Sequence, residues 1–144
     1  MPVIELDMLI AFVNKADKLH DVAVKIFNKI INKELRNVAI PVSAFMEYEL
    51  VLRSRGYGED TICNDIEAFK SIENIDEITL TSNIIIKASS LRKRYGLTYF
   101  DSLHVASALL YDKLIISTDK AYQKISGLKI LDPKQITSKS RNSY

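Results

Sequence analysis

Short apolar runs alternate along this chain with segments of helical periodicity, and this alternation restricts the folds available to it. Strands are predicted at residues 2–6, 38–41, 76–80, 114–117 and 128–131. Helices are predicted after Asp7 and at residues 19–31, 43–55, 59–71, 81–95, 101–111 and 119–125, with Ser43, Asp101 and Asp119 as N-caps. Because strands that alternate with helices pair in parallel, the sequence predicts an α/β domain with a parallel sheet covered on both faces.

Length and composition indicate one domain with its own core, since the chain has 144 residues of which 47% are apolar. We assign residues 1–132 to this domain and residues 133–144 to a polar, basic tail whose end, SKSRNSY, is expected to be loose. Cys63 is the only cysteine, so no intrachain disulfide can form. The sequence begins without a signal-peptide pattern, and no apolar run approaches the roughly 20 residues of a membrane span. We therefore expect a soluble, cytoplasmic protein.

Four acidic residues lie beside core-forming segments, where solubility alone does not explain a charge. They are Asp7 in VIELDMLIAF, Glu47 in SAFMEYELVL, Asp101 in LTYFDSLHVA and Asp119 in KLIISTDKAY. A carboxylate buried without a partner costs several kcal/mol or becomes protonated. Asp7 and Asp119 each follow a predicted strand, which places them at the edge where parallel sheets carry their sites. A divalent cation shared by the four carboxylates is the simplest hypothesis.

Each of these residues also has an ordinary structural interpretation. Asp7, Asp101 and Asp119 could serve only as helix N-caps. Glu47 has small or apolar residues three and four positions away, and it could instead reach solvent or pair with a distant lysine. His104 follows Asp101 by one helical turn and could bind the same metal, but a single histidine on a helix is more often a packed structural residue.

Several other chemistries are excluded by motifs that the sequence lacks. It contains no GxxxxGK[ST] or GxGxxG phosphate loop, no GxSxG nucleophile elbow and no HExxH zinc motif. With two histidines and one cysteine, a zinc site built from nitrogen and sulfur ligands is not expected. Chemistry that uses carboxylate side chains is the remaining possibility.

The ordered set of acidic motifs resembles the PIN-domain nucleases, and within them the VapC-type toxins. The set consists of Asp7 after a strand, Ser43-x-x-x-Glu47, the segment DSLHVASAL that starts at Asp101, and STDKAY, which contains Asp119. The resemblance covers about residues 3–131 and implies a three-layer α/β/α sandwich in which the first strand lies beside the strand before Asp119. It further implies that the four acids hold Mg²⁺ or Mn²⁺, with Ser117 as a nearby hydroxyl. The family often has Thr or Ser soon after the first Asp, where this chain has Met8 and Leu9.

The resemblance implies a metal-dependent endoribonuclease that is the toxin of a toxin–antitoxin pair, with RNA as substrate, a cognate antitoxin as partner, and a homodimeric state. RNA phosphates would meet basic residues, for which Arg92, Arg94 and Lys120 are the candidates, although Arg92 and Arg94 could simply form a solvated helix end. Three alternatives stay open. They are a catalytically impaired PIN-like binding module, an RNA-processing nuclease of the same family, and a phosphoacceptor receiver domain. The receiver domain is disfavoured, because no Asp follows the third predicted strand.

Overall fold

The computed structural model of the chain describes residues 1–138. Its strands are β1 (Val3–Ile4), β2 (Val38–Pro41), β3 (Ile75–Ile78), β4 (Leu114–Ile116) and β5 (Lys129–Leu131). Its helices are α1 (Leu6–Val13), α2 (His20–Ile31), α3 (Val42–Ser54), α4 (Glu59–Lys70), α5 (Ser82–Tyr95), α6 (Tyr99–Leu109) and α7 (Pro133–Ser138), with a 3-10 helix at Lys120–Lys124. The segment assigned to a polar tail thus begins as helix α7, which packs against α2, and residues 139–144 of the predicted loose end lie outside the described part.

The five strands form one parallel sheet in the order β3-β2-β1-β4-β5. Val3 of β1 is in register with Ala39 of β2 on one side and with Ile115 of β4 on the other. The predicted parallel sheet is therefore confirmed, and so is the predicted contact between the first strand and the strand before Asp119.

Alternate residues of the central strands face two separate cores, which makes the molecule a three-layer α/β/α sandwich as predicted. Ile4 and Ile116 point into a core formed with α1, α2, α3 and α4, whereas Val3 and Ile115 point into a core formed with α5 and α6. All four side chains are fully buried. This two-sided burial explains why the central strands β1, β2 and β4 are apolar throughout.

The connections change direction at β1, and this change creates a crevice at one edge of the sheet. From β1 the chain proceeds outward to β2 and β3, and then α5 and α6 carry it back across to β4 on the other side of β1. The helices that follow β1 and β4 consequently leave the sheet on opposite faces. Parallel α/β sheets bind ligands at such a point, just beyond the carboxyl ends of the two strands.

The helix caps differ in part from those predicted. Pro41 rather than Ser43 precedes the first residue of α3, and Thr98 rather than Asp101 caps α6 by accepting a hydrogen bond from the Asp101 N–H. The prediction for Asp119 is confirmed, because its Oδ1 accepts a hydrogen bond of 2.9 Å from the N–H of Ala121. Asp101 is the third residue of α6, within its first turn, so the N-cap role predicted for it is wrong. Within residues 1–138, no helix is both long and apolar enough to cross a membrane.

Candidate active site

A pocket of about 370 Å³ opens at the crevice between the carboxyl ends of β1 and β4. All four acidic residues singled out in the sequence line it, and it also includes Glu5 and Asp17, together with Leu6, Ile10, Leu19, His104 and Thr118. The lining thus has six carboxyl groups and, within the described residues, no lysine or arginine. The fold gathers acids that the sequence separates by more than 100 positions.

Glu5 is a site residue that the sequence analysis missed. It directly follows β1, is only 5% exposed, and accepts hydrogen bonds from the hydroxyl groups of Ser117 (2.7 Å) and Tyr122 (2.8 Å). The segment VIELD did contain a signal, since Glu5 is as deeply set among apolar residues as Asp7 and is closer to the strand end. Asp17, in contrast, lies in the loop between α1 and α2, where its carboxylate accepts a hydrogen bond from the Leu19 N–H, so its sequence context indicates only a turn.

Ser117 ties the two strand ends together behind the pocket. Its hydroxyl donates to Glu5 and accepts a hydrogen bond of 3.0 Å from the N–H of Asp119. The residue predicted as a nearby hydroxyl therefore lies beside the acids, fully buried, and fixes the loop that carries Asp119.

Burial, together with the neighbouring acids, raises the pKa of the two acids that are nearest to β1, Glu5 and Asp7. Burial is the main cause for both: it raises the pKa of Glu5 to about 8, with a further increase from the charge of Asp7, and it raises the pKa of Asp7 to about 7. Hydrogen bonds from Met8 and Thr118 partly oppose the change at Asp7, while the charge of Asp119 adds to it. The negative charge in this pocket is thus only partly offset by the protein itself, which is the condition under which a cation binds favourably.

Glu47 is held by a histidine instead of the distant lysine considered above. The Nε2 atom of His104 lies 2.8 Å from Glu47 Oε1, and its Nδ1 atom lies 2.8 Å from the hydroxyl of Ser43. His104 is 1% exposed, whereas the Glu47 side chain is 23% exposed at the pocket. The interpretation of His104 as a packed, hydrogen-bonded residue is confirmed.

The three candidate phosphate-binding residues lie in different places. Lys120 lines a second depression beside the acidic pocket and shares Thr118 and Asp119 with it. Arg92 donates a hydrogen bond of 2.8 Å to the Ser102 hydroxyl, and Arg94 lies over the ring of Tyr95. Of the three, only Lys120 is therefore next to the acids. Both arginines belong to α5, and Arg92 contacts α6.

The donor set suits a hard divalent cation, although its members do not converge as a finished site. Carboxylate oxygens are the ligands that Mg²⁺ and Mn²⁺ prefer, and both nitrogens of the one histidine in the pocket are occupied by protein partners. Within residues 1–138, no three side chains of His, Cys, Asp or Glu are arranged around a common metal position. The chemistry therefore fits, and binding would require the carboxylates to rotate toward one another.

Comparisons with known proteins agree with this architecture. The family profile described as "PIN domain" matches residues 7–128. No curated protein matches the chain. Among solved structures, VapBC2 from Rickettsia felis bound to a DNA fragment from its promoter has a TM-score of 0.69 at 13% identity, covering 90% of this chain and 96% of that one.

Two further structures show the same fold. A toxin–antitoxin complex from Klebsiella pneumoniae has a TM-score of 0.64 at 16% identity and covers 92% of this chain and 98% of that one. FitAB bound to an IR36 DNA fragment has a TM-score of 0.66 at 11% identity and covers 92% and 95%, respectively. At these identities the likeness concerns the fold.

Proposed function

The chain belongs to the PIN-domain family, and from this premise we propose that it is a metal-dependent endoribonuclease that hydrolyses RNA phosphodiester bonds. The observation that supports the proposal most is the pocket between β1 and β4, with its six carboxyl groups and, among the residues described, no lysine or arginine. Clustered, partly buried acids destabilise a protein unless cations offset their repulsion. A pocket of this kind is therefore better explained by a bound cation than by solubility.

The residues proposed to hold Mg²⁺ or Mn²⁺ are Asp7, Glu47, Asp101 and Asp119. When bound, the ion would polarise the scissile phosphate, lower the pKa of the attacking water and stabilise the leaving oxygen. Glu5 lies behind this set, since Ser117 and Tyr122 both donate to its carboxyl group. We assign Glu5 the role of a buried support for the strand ends, and one of the more exposed carboxylates the role of accepting the proton from water.

The departure at Met8 and Leu9 does not favour the impaired binding module. Both side chains are fully buried in the core of α1, and neither lines the pocket. They therefore replace no group that would face a metal or a phosphate. The apolar residue that does line the pocket in this segment is Leu6, which lies between Glu5 and Asp7.

An acidic pocket repels RNA, so the strand needs positive charge from the metal or from residues at the rim. Lys120 is the candidate next to Asp119 for a phosphate contact, which would position the strand without selecting its sequence. Arg92 and Arg94 lie outside the pocket and are proposed to contact only more distant phosphates.

We further propose that the nuclease is a cytoplasmic toxin with a cognate antitoxin that covers the acidic pocket, and that it forms a homodimer. Two findings support the toxin assignment. One of the similar structures is a toxin–antitoxin complex, and the motif set around Asp101 and Asp119 resembles the VapC-type toxins.

Cleavage of a labelled, structured RNA by the purified protein tests the activity. We expect cutting in Mg²⁺ or Mn²⁺, none in EDTA, and a decrease of at least about 100-fold in Asp7→Asn and Asp101→Asn, because losing metal catalysis removes several kcal/mol of stabilisation. Glu49→Gln is the matched control. Glu49 is an acid of α3 that pairs with Arg53 at the surface, away from the pocket.

The growth of cells that express the protein distinguishes the toxin hypothesis from the alternative functions. Growth arrest by the wild type and not by Asp7→Asn supports a toxin. RNA cleavage in vitro without growth arrest favours an RNA-processing nuclease, and intact RNA in both metals favours a binding module.

A further inference from the structure

We propose that His104 is a positioning residue that fixes the Glu47 carboxylate toward the acidic pocket, so that metal affinity depends on the hydrogen bond that residue 104 donates to Glu47. This inference rests on the proposed metal role of Glu47. His104 itself is not proposed as a ligand, because both of its ring nitrogens are engaged by protein groups.

The imidazole of His104 is immobilised by three contacts. Ser43 Oγ lies 2.8 Å from Nδ1, and Glu47 Oε1 lies 2.8 Å from Nε2. The ring of Phe100 stacks on the imidazole with a centroid distance of 6.3 Å and an interplanar angle of 23°. Only 1% of the residue is exposed, so protein atoms surround the ring.

The hydrogen-bond roles follow from the chemistry of the partners. An ionised carboxylate only accepts, so the proton between His104 and Glu47 belongs to Nε2. In the neutral ring, Nδ1 is then the acceptor, and it takes the hydroxyl proton of Ser43. Ser43 and Glu47 are one turn apart on α3, whereas His104 belongs to α6. One ring thus links the orientation of Glu47 to the packing of the two helices.

The two carboxylate oxygens of Glu47 differ in their hydrogen bonding. Oε1 is committed to His104, while Oε2 has no hydrogen-bond partner among residues 1–138. The pocket lining includes Glu47 and His104 together, so the second oxygen is the one available to a cation. Partners that hold a metal ligand in place typically contribute 10- to 100-fold to metal affinity.

Two amide substitutions separate positioning from packing. In His104→Gln the side-chain amide nitrogen reaches the place of Nε2 and can still donate to Glu47. In His104→Asn the shorter amide reaches only the place of Nδ1, so it keeps the Ser43 contact and loses the donor to Glu47. Affinity for Mn²⁺ is measured by calorimetry on each metal-free protein, with thermal unfolding as the check on folding.

We expect His104→Gln to bind Mn²⁺ within about threefold of the wild type and His104→Asn to bind it about 10- to 100-fold more weakly. Equal affinity of the wild type and a folded His104→Asn would overturn the proposal, and so would an equal loss in both variants, since packing alone would then explain it. Absence of Mn²⁺ binding to the wild type would also overturn it. If the expected affinity pattern appears but RNA stays intact, the positioning role stands and the proposed nuclease function fails.

Discussion

Replacing the ionisable carboxyl group of Glu5 by a neutral amide should change how the stability of the protein depends on pH. Glu5 is 5% exposed, and burial raises its pKa from 4.5 to about 8. Between these two values the unfolded chain has released the proton and the folded protein still holds it. The folded state therefore binds more protons, and its stability falls as the pH rises through this window.

The expected magnitude follows from the same two pKa values. One pKa unit corresponds to about 1.4 kcal/mol, so the full effect of Glu5 is roughly 5 kcal/mol between pH 4.5 and pH 8. Below pH 4.5 both states are protonated and the effect vanishes. A domain typically has a free energy of unfolding of only about 5–15 kcal/mol, so the metal-free protein should be markedly less stable at pH 9 than at pH 5.

Glu5→Gln replaces the buried acid by a neutral group of the same shape, and urea unfolding in EDTA at pH 5, 6, 7, 8 and 9 measures the result. We expect the free energy of unfolding to decrease with pH in the wild type and to decrease much less in the variant, although Asp7, with a pKa raised to about 7, leaves a residual slope. Glu49→Gln, which alters only an exposed pair with Arg53, should retain the wild-type slope. Parallel pH profiles for the wild type and Glu5→Gln would refute the reasoning.

Three further predictions concern the groups around the pocket and the core. Tyr122→Phe removes a hydroxyl whose hydrogen bond lowers the pKa of Glu5, so the pH-dependent loss of stability, followed by urea unfolding, should extend to higher pH than in the wild type. Lys120→Gln should raise the KM for RNA and reduce its salt dependence, whereas Arg94→Gln, which alters a side chain outside the pocket, should have a smaller effect on both, as measured in cleavage assays across a salt series. Phe27→Ala empties a fully buried site in contact with other aromatic rings and should cost about 3–5 kcal/mol in urea unfolding, with RNA cleavage by the folded fraction unchanged.

Local sequence patterns were sufficient for the sheet but not for every helix cap. The strand at Val38–Pro41 is predicted at its exact bounds because four consecutive apolar, buried residues leave little ambiguity. The cap of α3 is predicted two residues too late, at Ser43 instead of Pro41, because Ser43 has a good capping side chain. In the structure that hydroxyl instead contacts His104, a residue 61 positions away. Whether a side chain hydrogen-bonds to its own helix or to a distant residue depends on tertiary packing, which a local sequence pattern does not reveal.

The site shows the same division between local signals and distant partners. Charge within apolar segments identified Asp7, Glu47, Asp101 and Asp119, and all four line one pocket. Their assignment as metal ligands stays a prediction. The partner of Glu47 could not be found from neighbouring positions, because it lies on another helix, 57 residues away. The sequence also does not show where a basic side chain points. Arg92, for example, donates a hydrogen bond to Ser102 and does not line the pocket.

The distribution of charge at the pocket sets the order in which its ligands can bind. Among the described residues, six carboxyl groups and no lysine or arginine line it, so an RNA phosphate that approached the metal-free protein would meet repulsion in a partly buried, low-dielectric site. A cation that binds first would offset this repulsion. It would also stabilise the folded protein against the crowding of the acids, because binding to the folded state alone shifts the folding equilibrium. In the proposed nuclease, metal binding, folding stability and RNA affinity would therefore be linked through the same carboxylates. Because each depends on relief of one repulsion, the proposed nuclease should bind its metal before its substrate.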